Sequence, residues 1–388
     1  MPSTPLGKAR RAGLSPGRAF GAPGRWLPGI SGDRAGRHNA KKALRPRHRG
    51  GNKIPRGAAR AAAGIPFVET DRPMENHQDR DGSAEPSAGE AETGAPEGGR
   101  PVDIFRPAQQ TAPVVFASPH SGRDYTPAFI EQSSLSATAL RRSEDAFVDR
   151  LFRRAPEFGA PLIRANFPRA YVDANREAYE LDPRMFQGPL PDHVVTRSPR
   201  IAAGLGTIAR VVANGEEIYP GRLTFAEARQ RIEATHRPYH RALKGLIEET
   251  CNTFGGCLLI DCHSMPSNVL GPGGGGRSAN LLGDIILGDC HGTAAAPAMT
   301  ALAEHLLKEL DFSVTRNRPY AGGYTTRHYG RPRTGVHVLQ IEINRALYLD
   351  EAAIAPKPAF DDIAARMDAF MARLCAGVRS LILPEAAE

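Results

Sequence analysis

Long apolar runs and paired cysteines are both missing from this sequence of 388 residues. No run approaches the roughly 18 residues that a helix needs to cross a bilayer, and the N-terminus lacks the apolar core of a signal peptide. The five cysteines form neither an even framework nor closely spaced ligand pairs, which excludes a disulfide scaffold and a cysteine-based zinc cluster. These absences predict a protein of a reducing compartment, the cytoplasm, with no membrane partner.

Acidic residues are scarce only at the N-terminus. Residues 1–73 hold 16 Lys/Arg and 3 Asp/Glu, a net charge of +13, whereas residues 74–388 carry a net charge of −5. Residues 1–104 have too little apolar content to offset the entropy of ordering, so we expect a disordered leader, first basic and then acidic. Met1 and Met74 are both candidate start sites. Nucleic acid would bind only through the basic leader, because the mildly acidic remainder predicts no such partner.

Strands alternate with helices along residues 105–388, where we expect the folded domain. Apolar runs and alternation predict strands at residues 112–118, 161–166, 256–262, 281–288, 312–316 and 336–344. Helical spacing predicts helices at residues 138–154, 224–250, 293–310 and 358–381. A capping box of Thr224 and Glu227 marks the start of the second helix. This order predicts an α/β protein, a three-layer α/β/α sandwich around a mixed, largely parallel sheet.

Polar side chains stand where three of these strands end. His120 follows the first strand, His263 follows the apolar run GCLLIDC, and Glu342 lies near the end of VHVLQIEIN. Ligands of such sheets bind beyond the carboxyl ends of the strands. Two strand-end histidines predict a metal site, with structural histidines as the alternative. Glu342 is costly to bury unpaired but useful for moving protons, and a structural ion pair with an Arg is the alternative.

A zinc site needs a third protein ligand and an open position. Asp145 is the best candidate, in the sequence Ser-Glu-Asp-Ala-Phe at the start of a predicted helix. Glu144 is adjacent and stays open as an alternative ligand. Both acids could instead serve only the positive N-terminal end of that helix.

Two arginines are candidate anion-binding groups. Arg169 and Arg176 flank a short extended piece that contains Asp173 and Asn175. Arg is the side chain suited to hold a carboxylate with two parallel hydrogen bonds. The alternative is a cluster of surface ion pairs.

Two glycine-rich segments remain. Residues 319–332, PYAGGYTTRHYGRP, suit a mobile loop over a pocket, with Tyr324 and His328 as candidate substrate contacts. The run of glycines at residues 273–276 lacks the Lys and Ser/Thr of a phosphate-binding loop, so it predicts only a flexible loop.

Together these segments resemble the N-formylglutamate amidohydrolase family. Six motifs occur in order between residues 112 and 380, namely PHSG, SEDAFVDRLF, PRAYVDANR, DCHSMP, PYAGGYTTRHYGRP and LQIEINRALYLDE. Six motifs in one order are far more specific than any one of them. The resemblance implies a fold similar to that of zinc carboxypeptidases, and hydrolysis of N-formyl-L-glutamate to formate and L-glutamate.

The resemblance also implies roles for particular residues. The ligands of a single zinc ion are His120, Asp145 and His263. Glu342 matches the catalytic glutamate. Asn175 and Arg176 resemble the Asn-Arg pair with which zinc carboxypeptidases hold a substrate carboxylate. Arg169 polarises the scissile carbonyl or shares that carboxylate.

The expected reaction is hydrolysis of the amide of N-formyl-L-glutamate or a related N-acyl amino acid, a small-molecule partner. The dipeptide Ala146-Phe147 stands where histidine-degrading members have Trp-His, which leaves the acyl group open. Another zinc deacylase or peptidase on the same fold, or a non-catalytic ligand-binding homologue, are the alternatives. The oligomeric state also stays open.

Overall fold

The computed structural model describes residues 99–212, 215–267 and 283–382. Within these ranges, no helix combines the length and the apolar character needed to cross a membrane. The predictions made for residues 1–98 and for the glycine run at 273–276 lie outside the described residues.

Seven strands of the described chain form one mixed sheet in the order β1-β3-β2-β4-β7-β5-β6. They are β1 (Val102–Phe105), β2 (Val114–Ser118), β3 (Leu162–Ala165), β4 (Cys257–Met265), β5 (Ile285–Gly288), β6 (Val314–Arg316) and β7 (Val336–Asn344). The four central strands β3, β2, β4 and β7 are parallel. β1 pairs antiparallel with β3, and β5 pairs antiparallel with β7 and parallel with β6. A small separate sheet joins β8 (Leu349–Asp350) to β9 (Ala355–Pro356).

Helices connect these strands. They are α1 (Pro127–Gln132), α2 (Ala137–Arg141), α3 (Val148–Leu151), α4 (Pro199–Ala202), α5 (Phe225–Arg231), α6 (Arg237–Phe254), α7 (Pro297–Glu309), α8 (Tyr324–Tyr329) and α9 (Phe360–Ile382).

The helices cover both faces of the sheet. Val114 and Phe116 of β2 belong to a core cluster with α3, α7 and α9, whereas Val115 and Ala117 belong to a second cluster with α6. Successive strand residues point to opposite faces, so β2 is buried on both. The predicted three-layer α/β sandwich with a mixed, largely parallel sheet is confirmed.

The pairing of the two longest strands positions the polar residues. β4 and β7 are in parallel register from Cys257 beside Val336 to Met265 beside Asn344. This register sets His263 directly beside Glu342. The two side chains therefore reach the same edge of the sheet.

Residues 225–254 form one helical run that contains a π segment. The predicted capping box is confirmed, since the Thr224 hydroxyl accepts from the Glu227 N–H and the Glu227 carboxylate accepts from the Thr224 N–H. The π segment spans Ile232–His236, shortly before Pro238. Proline lacks an N–H, and in an α-helix its ring clashes with the carbonyl four residues earlier. The wider π turn accommodates this proline.

The single helix predicted at residues 138–154 is wrong. The chain forms α2 and α3 there, and between them Phe147 adopts a left-handed φ of 64°. The Asp145 N–H donates to the His120 carbonyl at 3.0 Å instead of to a helical carbonyl. A tertiary hydrogen bond thus overrides the helical spacing of the apolar residues and turns Asp145 toward the end of β2.

The expected start of order at residue 105 is also too late. β1 begins at Val102, and its residues pair with β3, from Val102 beside Ala165 to Phe105 beside Leu162. β1 is an edge strand with half-exposed side chains, so it lacks the apolar run that marks the other strands. The predicted leader of residues 1–104 therefore includes most of this strand.

Gly122, in the turn after His120, packs directly on backbone atoms. A Cβ added to Gly122 would lie 2.1 Å from the Phe167 carbonyl oxygen and 2.7 Å from that of Asn166. Because backbone cannot move aside as a flexible side chain can, Gly122→Ala is expected to lower the free energy of unfolding by about 1–3 kcal/mol. A Cβ added to Gly245 in α6 meets nothing within 4 Å. Gly245→Ala is therefore expected to raise the free energy of unfolding by about 0.5–1 kcal/mol. Urea unfolding of both variants tests this, and shifts of the same sign would contradict it.

Candidate metal centre and substrate cavity

Three buried side chains converge at the carboxyl edge of the central strands. His120 Nδ1 lies 3.2 Å from Asp145 Oδ2, and His263 Nδ1 lies 3.0 Å from the same oxygen and 3.1 Å from His120 Nδ1. Each of these residues is at most 3% exposed. Two imidazole nitrogens and one carboxylate oxygen form a group that could hold a metal ion.

Different elements bring these side chains together. His120 follows β2, His263 lies within β4, and Asp145 lies in the turn between α2 and α3. Arg345, directly after β7, donates from Nη2 to Asp145 Oδ1 at 2.9 Å and from Nε to the Ser264 hydroxyl at 3.1 Å. This contact fixes the carboxylate so that Oδ2 faces the two imidazoles.

A carboxylate stands behind each imidazole. His120 Nε2 donates to Asp173 Oδ1 at 2.8 Å, and Asp261 Oδ1 lies 3.0 Å from His263 Nε2. Because a carboxylate only accepts hydrogen bonds, the Asp173 contact places a His120 ring proton on Nε2 and directs Nδ1 toward Asp145, whereas His263 Nε2 is hydrogen-bonded with Asn175 Nδ2 at 3.0 Å. Metal-bound histidines are held in this way by their second ring nitrogen. The residues present therefore fit a metal cation.

The charges around the centre favour a cation as well. Although burial opposes an imidazolium, the carboxylates of Asp261 and Asp145 raise the pKa of His263 well above its ordinary value. Although burial also opposes a carboxylate, hydrogen bonds from the two histidines and the charge of Arg345 lower the pKa of Asp145 well below its ordinary value. The site therefore stabilises positive charge beside Asp145, as a proton or as a metal ion.

Glu144 points away from the two histidines. Its Oε1 accepts hydrogen bonds from the Tyr125 hydroxyl at 2.9 Å and from Arg141 Nε at 3.0 Å. Its Oε2 accepts from Arg141 Nη2 at 3.2 Å. Of the two adjacent acids, the structure brings Asp145 to the centre.

Glu342 lies beside the centre with its carboxyl group buried. Gln340 Nε2 donates to Glu342 Oε1 at 2.8 Å. Burial and the nearby charge of Asp145 raise the pKa of Glu342 to about 7, against the opposing charges of His263 and Arg169. A carboxyl group with a pKa near neutrality can both accept and release a proton. A bound cation would lower this pKa, because positive charge favours the carboxylate.

The segment of residues 173–176 lies against the outer side of the imidazoles. Asn175 Nδ2 lies 3.0 Å from His263 Nε2 and 3.3 Å from Asp261 Oδ2, and its Oδ1 accepts from the Thr325 N–H at 2.8 Å. Both ends of this amide are thus occupied within the protein. Asn175 therefore supports the centre and also lines the cavity, where its substrate contact stays a prediction.

Arg176 keeps one nitrogen of its guanidinium without a hydrogen bond. Its Nε donates to the Leu205 carbonyl at 2.9 Å and its Nη1 to the Asn175 carbonyl at 2.7 Å. Its buried Nη2 has no hydrogen-bond partner among the described residues and lies 3.5 Å from Asp173 Oδ2. Burial lowers the pKa of Arg176 to about 10. A buried guanidinium with an unused donor is suited to bind a carboxylate.

A cavity of about 320 Å³ opens in front of the candidate centre. This volume lies within the range of small-molecule sites, roughly 300–1,000 Å³. Its basic lining residues are Arg142, Arg169, Arg176, Arg200 and Arg345. Its apolar lining residues include Leu205, Ala209, Val211, Pro266 and Pro319. The excess of arginines favours an anionic ligand.

Tyr324 and His328, predicted as substrate contacts, are not among the side chains that line this cavity. Residues 324–329 form α8 instead of a loop, and the two rings stack on each other with centroids 4.8 Å apart. The part of the segment that reaches the cavity is its beginning, which includes Tyr320. The Gly323 N–H donates to Gln340 Oε1 at 2.7 Å, so the start of the segment is anchored beside Glu342.

Sequence reasoning missed three functional positions. Asp173 appeared only as a neighbour of two arginines, yet it supports His120. Arg345 and Arg200 were not singled out, although the first fixes Asp145 and the second lines the cavity. The sequence offers a signal for Asp173, within the motif PRAYVDANR, and for Arg345, within the motif LQIEINRALYLDE, but none for Arg200.

An α/β sandwich with two imidazoles and a carboxylate at its sheet edge, beside a further buried carboxylate and a basic cavity, is an arrangement typical of metal-dependent hydrolases. The sequence model of the N-formylglutamate amidohydrolase family matches residues 112–349, more than half of the chain. The chain belongs to this family and is a hydrolase that acts on an amide bond, which confirms the resemblance carried by the six motifs.

Individual relatives agree with this assignment. The N-formylglutamate deformylase of Pseudomonas aeruginosa is 30% identical over 244 residues, which cover 62% of this chain and 84% of that protein. The N-formylglutamate deformylase of Pseudomonas putida is 26% identical over 246 residues, which cover 63% of this chain and 84% of that protein. The crystal structure of N-formylglutamate amidohydrolase from Ralstonia eutropha superposes with a TM-score of 0.66 at 33% identity, and covers 72% of this chain and 98% of that one.

Proposed function

We propose that this protein is a zinc-dependent enzyme that hydrolyses N-formyl-L-glutamate, or a closely related N-acyl amino acid, to the acid and the free amino acid. The observation that carries the proposal is the convergence of His120, Asp145 and His263, with ligand atoms 3.0–3.2 Å apart, beside Glu342. The two Pseudomonas relatives, which are N-formylglutamate deformylases, support the substrate.

The donor set supports zinc as the metal. Two imidazole nitrogens and one carboxylate oxygen are typical of catalytic zinc sites, whereas magnesium and calcium prefer oxygen ligands. Three protein ligands also leave a coordination position open. Zinc held by His120, Asp145 and His263 would supply a Lewis acid, which makes water a nucleophile near neutral pH.

Glu342 would move the proton of the reaction. Its carboxylate accepts a proton from the attacking water and then donates it to the nitrogen of the departing amine. Gln340 holds Oε1, which leaves Oε2 available for the proton. The anchored Gln340 also prevents the carboxyl group from swinging away from the cavity.

The arginines would hold the substrate and stabilise its charge. Arg176, whose Nη2 makes no hydrogen bond within the described residues, binds the α-carboxylate of the amino acid, and Arg200 in the same cavity suits a second carboxylate. Arg169 uses Nε to bind Asp173 at 3.0 Å, and its other N–H groups are left for the carbonyl oxygen that becomes negative during attack.

The cysteines support a cytoplasmic location for this activity. Cys251, Cys257, Cys262, Cys290 and Cys375 are all free thiols. Free thiols suit a reducing compartment. We place the enzyme in the cytoplasm, with a small N-acyl amino acid as its partner.

Amine release from a panel of substrates tests the proposal. The panel comprises the N-formyl, N-acetyl and N-succinyl derivatives of glutamate, together with N-formylaspartate. Release from N-formylglutamate is expected to fall to background after dialysis against a chelator and to return when zinc is added. Full activity in protein shown to be metal-free would contradict the proposed metal dependence. Metal-dependent activity confined to another compound of the panel would identify that compound as the substrate instead of N-formylglutamate.

Arg176→Lys is expected to raise the KM for N-formylglutamate by about 10–100-fold, with a smaller change in kcat. Lysine keeps the charge but loses the planar pair of donors, and a hydrogen bond to a charged group contributes about 1.5–3 kcal/mol. Arg222→Lys, at an exposed position outside the cavity lining, serves as the control and should leave KM unchanged. An unchanged KM in folded Arg176→Lys protein would show that another group holds the carboxylate.

A further inference from the structure

Two histidines of the long helix hold the backbone behind the candidate metal centre. His236 Nε2 donates to the Arg176 carbonyl at 2.9 Å, and His240 Nε2 donates to the Ala174 carbonyl at 2.8 Å. These carbonyls lie on either side of Asn175. The two rings are neighbours, with centroids 4.3 Å apart, one helical turn from each other.

The surroundings fix both rings as neutral donors. A carbonyl oxygen only accepts, so each Nε2 carries the proton. The Tyr329 hydroxyl lies 2.9 Å from His240 Nδ1 and donates to it, whereas the buried His236 Nδ1 has no partner among the described residues. Burial lowers the pKa of His236, and burial with the neighbouring His236 lowers that of His240 to about 3. Each ring therefore presents one N–H to the segment of residues 173–176.

That segment contacts the outer nitrogens of both imidazoles of the centre. Asp173 accepts from His120 Nε2 at 2.8 Å, and Asn175 Nδ2 lies 3.0 Å from His263 Nε2. A shift of this backbone would move both contacts together. Outer contacts of this kind set the orientation and the affinity of metal-ligand histidines.

We propose that His236 and His240 are positioning residues, which hold the segment of residues 173–176 in register with the two metal-ligand imidazoles. The proposal rests on the metal-dependent function proposed above. It assigns a role to the π segment that ends at His236, since π turns within α-helices frequently occur at functional sites. Pro238 lies between the two histidines and favours that turn.

The test compares zinc affinity in three variants of the full chain. His236→Leu removes the donor, His236→Gln keeps an N–H near the position of Nε2, and Thr250→Val is the control. Thr250 is fully buried in the same helix and donates to the Leu246 carbonyl at 2.7 Å, far from the segment. Competition with a coloured chelator measures the dissociation constant for zinc, thermal unfolding measures stability, and the visible spectrum of the cobalt(II)-loaded protein reports ligand geometry.

His236→Leu is expected to weaken zinc binding about tenfold, the lower end of the range for outer contacts, and to alter the cobalt spectrum. His236→Gln is expected to restore affinity to within about threefold of the original protein. Thr250→Val is expected to lose thermal stability while its zinc affinity stays unchanged.

Unchanged zinc affinity in His236→Leu, or an equal loss in Thr250→Val, would overturn the positioning role while leaving the proposed function intact. A parent protein that binds no zinc would overturn both. Tyr329→Phe provides a milder variant if His236→Leu does not fold, because it removes only the hydroxyl that contacts Nδ1 and the carbonyl of His240. About threefold weaker zinc binding is expected there, and unchanged binding would overturn the proposal.

Discussion

Glu342→Gln is expected to lower kcat by about 10²–10⁴-fold while the protein still binds one zinc ion per chain. An amide has nearly the shape of a carboxyl group but cannot accept the proton of the attacking water. The carbonyl of the new amide can still accept the hydrogen bond from Gln340 Nε2, so the side chain is expected to keep its place. Steady-state amine release and metal analysis of the same sample measure the two effects separately.

Glu342→Asp is a second test of the proton-transfer role of this residue. Aspartate keeps the carboxylate but withdraws it by one methylene group, so proton transfer would be misplaced. Its kcat is expected to lie between those of the parent and Glu342→Gln. If Glu342→Gln retained full turnover with zinc bound, another group would have to move the proton. If it lost zinc, Glu342 would belong to the ligand set.

Asp145→Asn is expected to lose zinc and turnover together. The change removes the charged oxygen shared by the two imidazoles and the negative partner of Arg345, which then stays buried with less compensation. Loss of an outer contact weakens metal binding by roughly 10–100-fold, and loss of a ligand is expected to exceed that. Metal content after gel filtration, with zinc titration of the apoprotein, measures this.

Glu144→Gln is the matched control, since the adjacent acid differs from Asp145 mainly in where its side chain points. Glu144 contacts Tyr125 and Arg141, so its neutralisation is expected to affect local stability but to leave zinc content unchanged. If Glu144→Gln lost zinc while Asp145→Asn kept it, the acidic ligand would be the other residue. Equal loss in both would indicate that the turn between α2 and α3 acts as one unit.

Much of the architecture could be predicted from local sequence patterns. Buried central strands are continuous apolar runs, and the capping box at Thr224 needs only residues three apart, so both were predictable from spacing. The ends of β2 and β4 pointed to His120 and His263 for the same reason. Spacing failed for residues 138–154, where Phe147 in a left-handed conformation ends the helical pattern.

The choice of groups around the centre depended on contacts between distant residues. Asp145 is 25 residues from His120, 118 from His263 and 200 from Arg345, and no local rule links such separations. The same holds for Asn175, which meets Thr325 150 residues away. For this reason the sequence named Asp145 as a ligand but left Glu144 open as an alternative, and it gave no sign that Asn175 supports His263.

By itself, the sequence determined the central strands, the α/β class of the fold, and the two histidines and the glutamate at the strand ends, because hydrophobic periodicity is a property of neighbouring residues. Tertiary structure alone decided which acid joins the histidines, which carboxylates stand behind them, and that Tyr324 and His328 stack away from the cavity. Those outcomes depend on where a folded backbone directs each side chain, and that direction is set by packing between segments far apart in the chain.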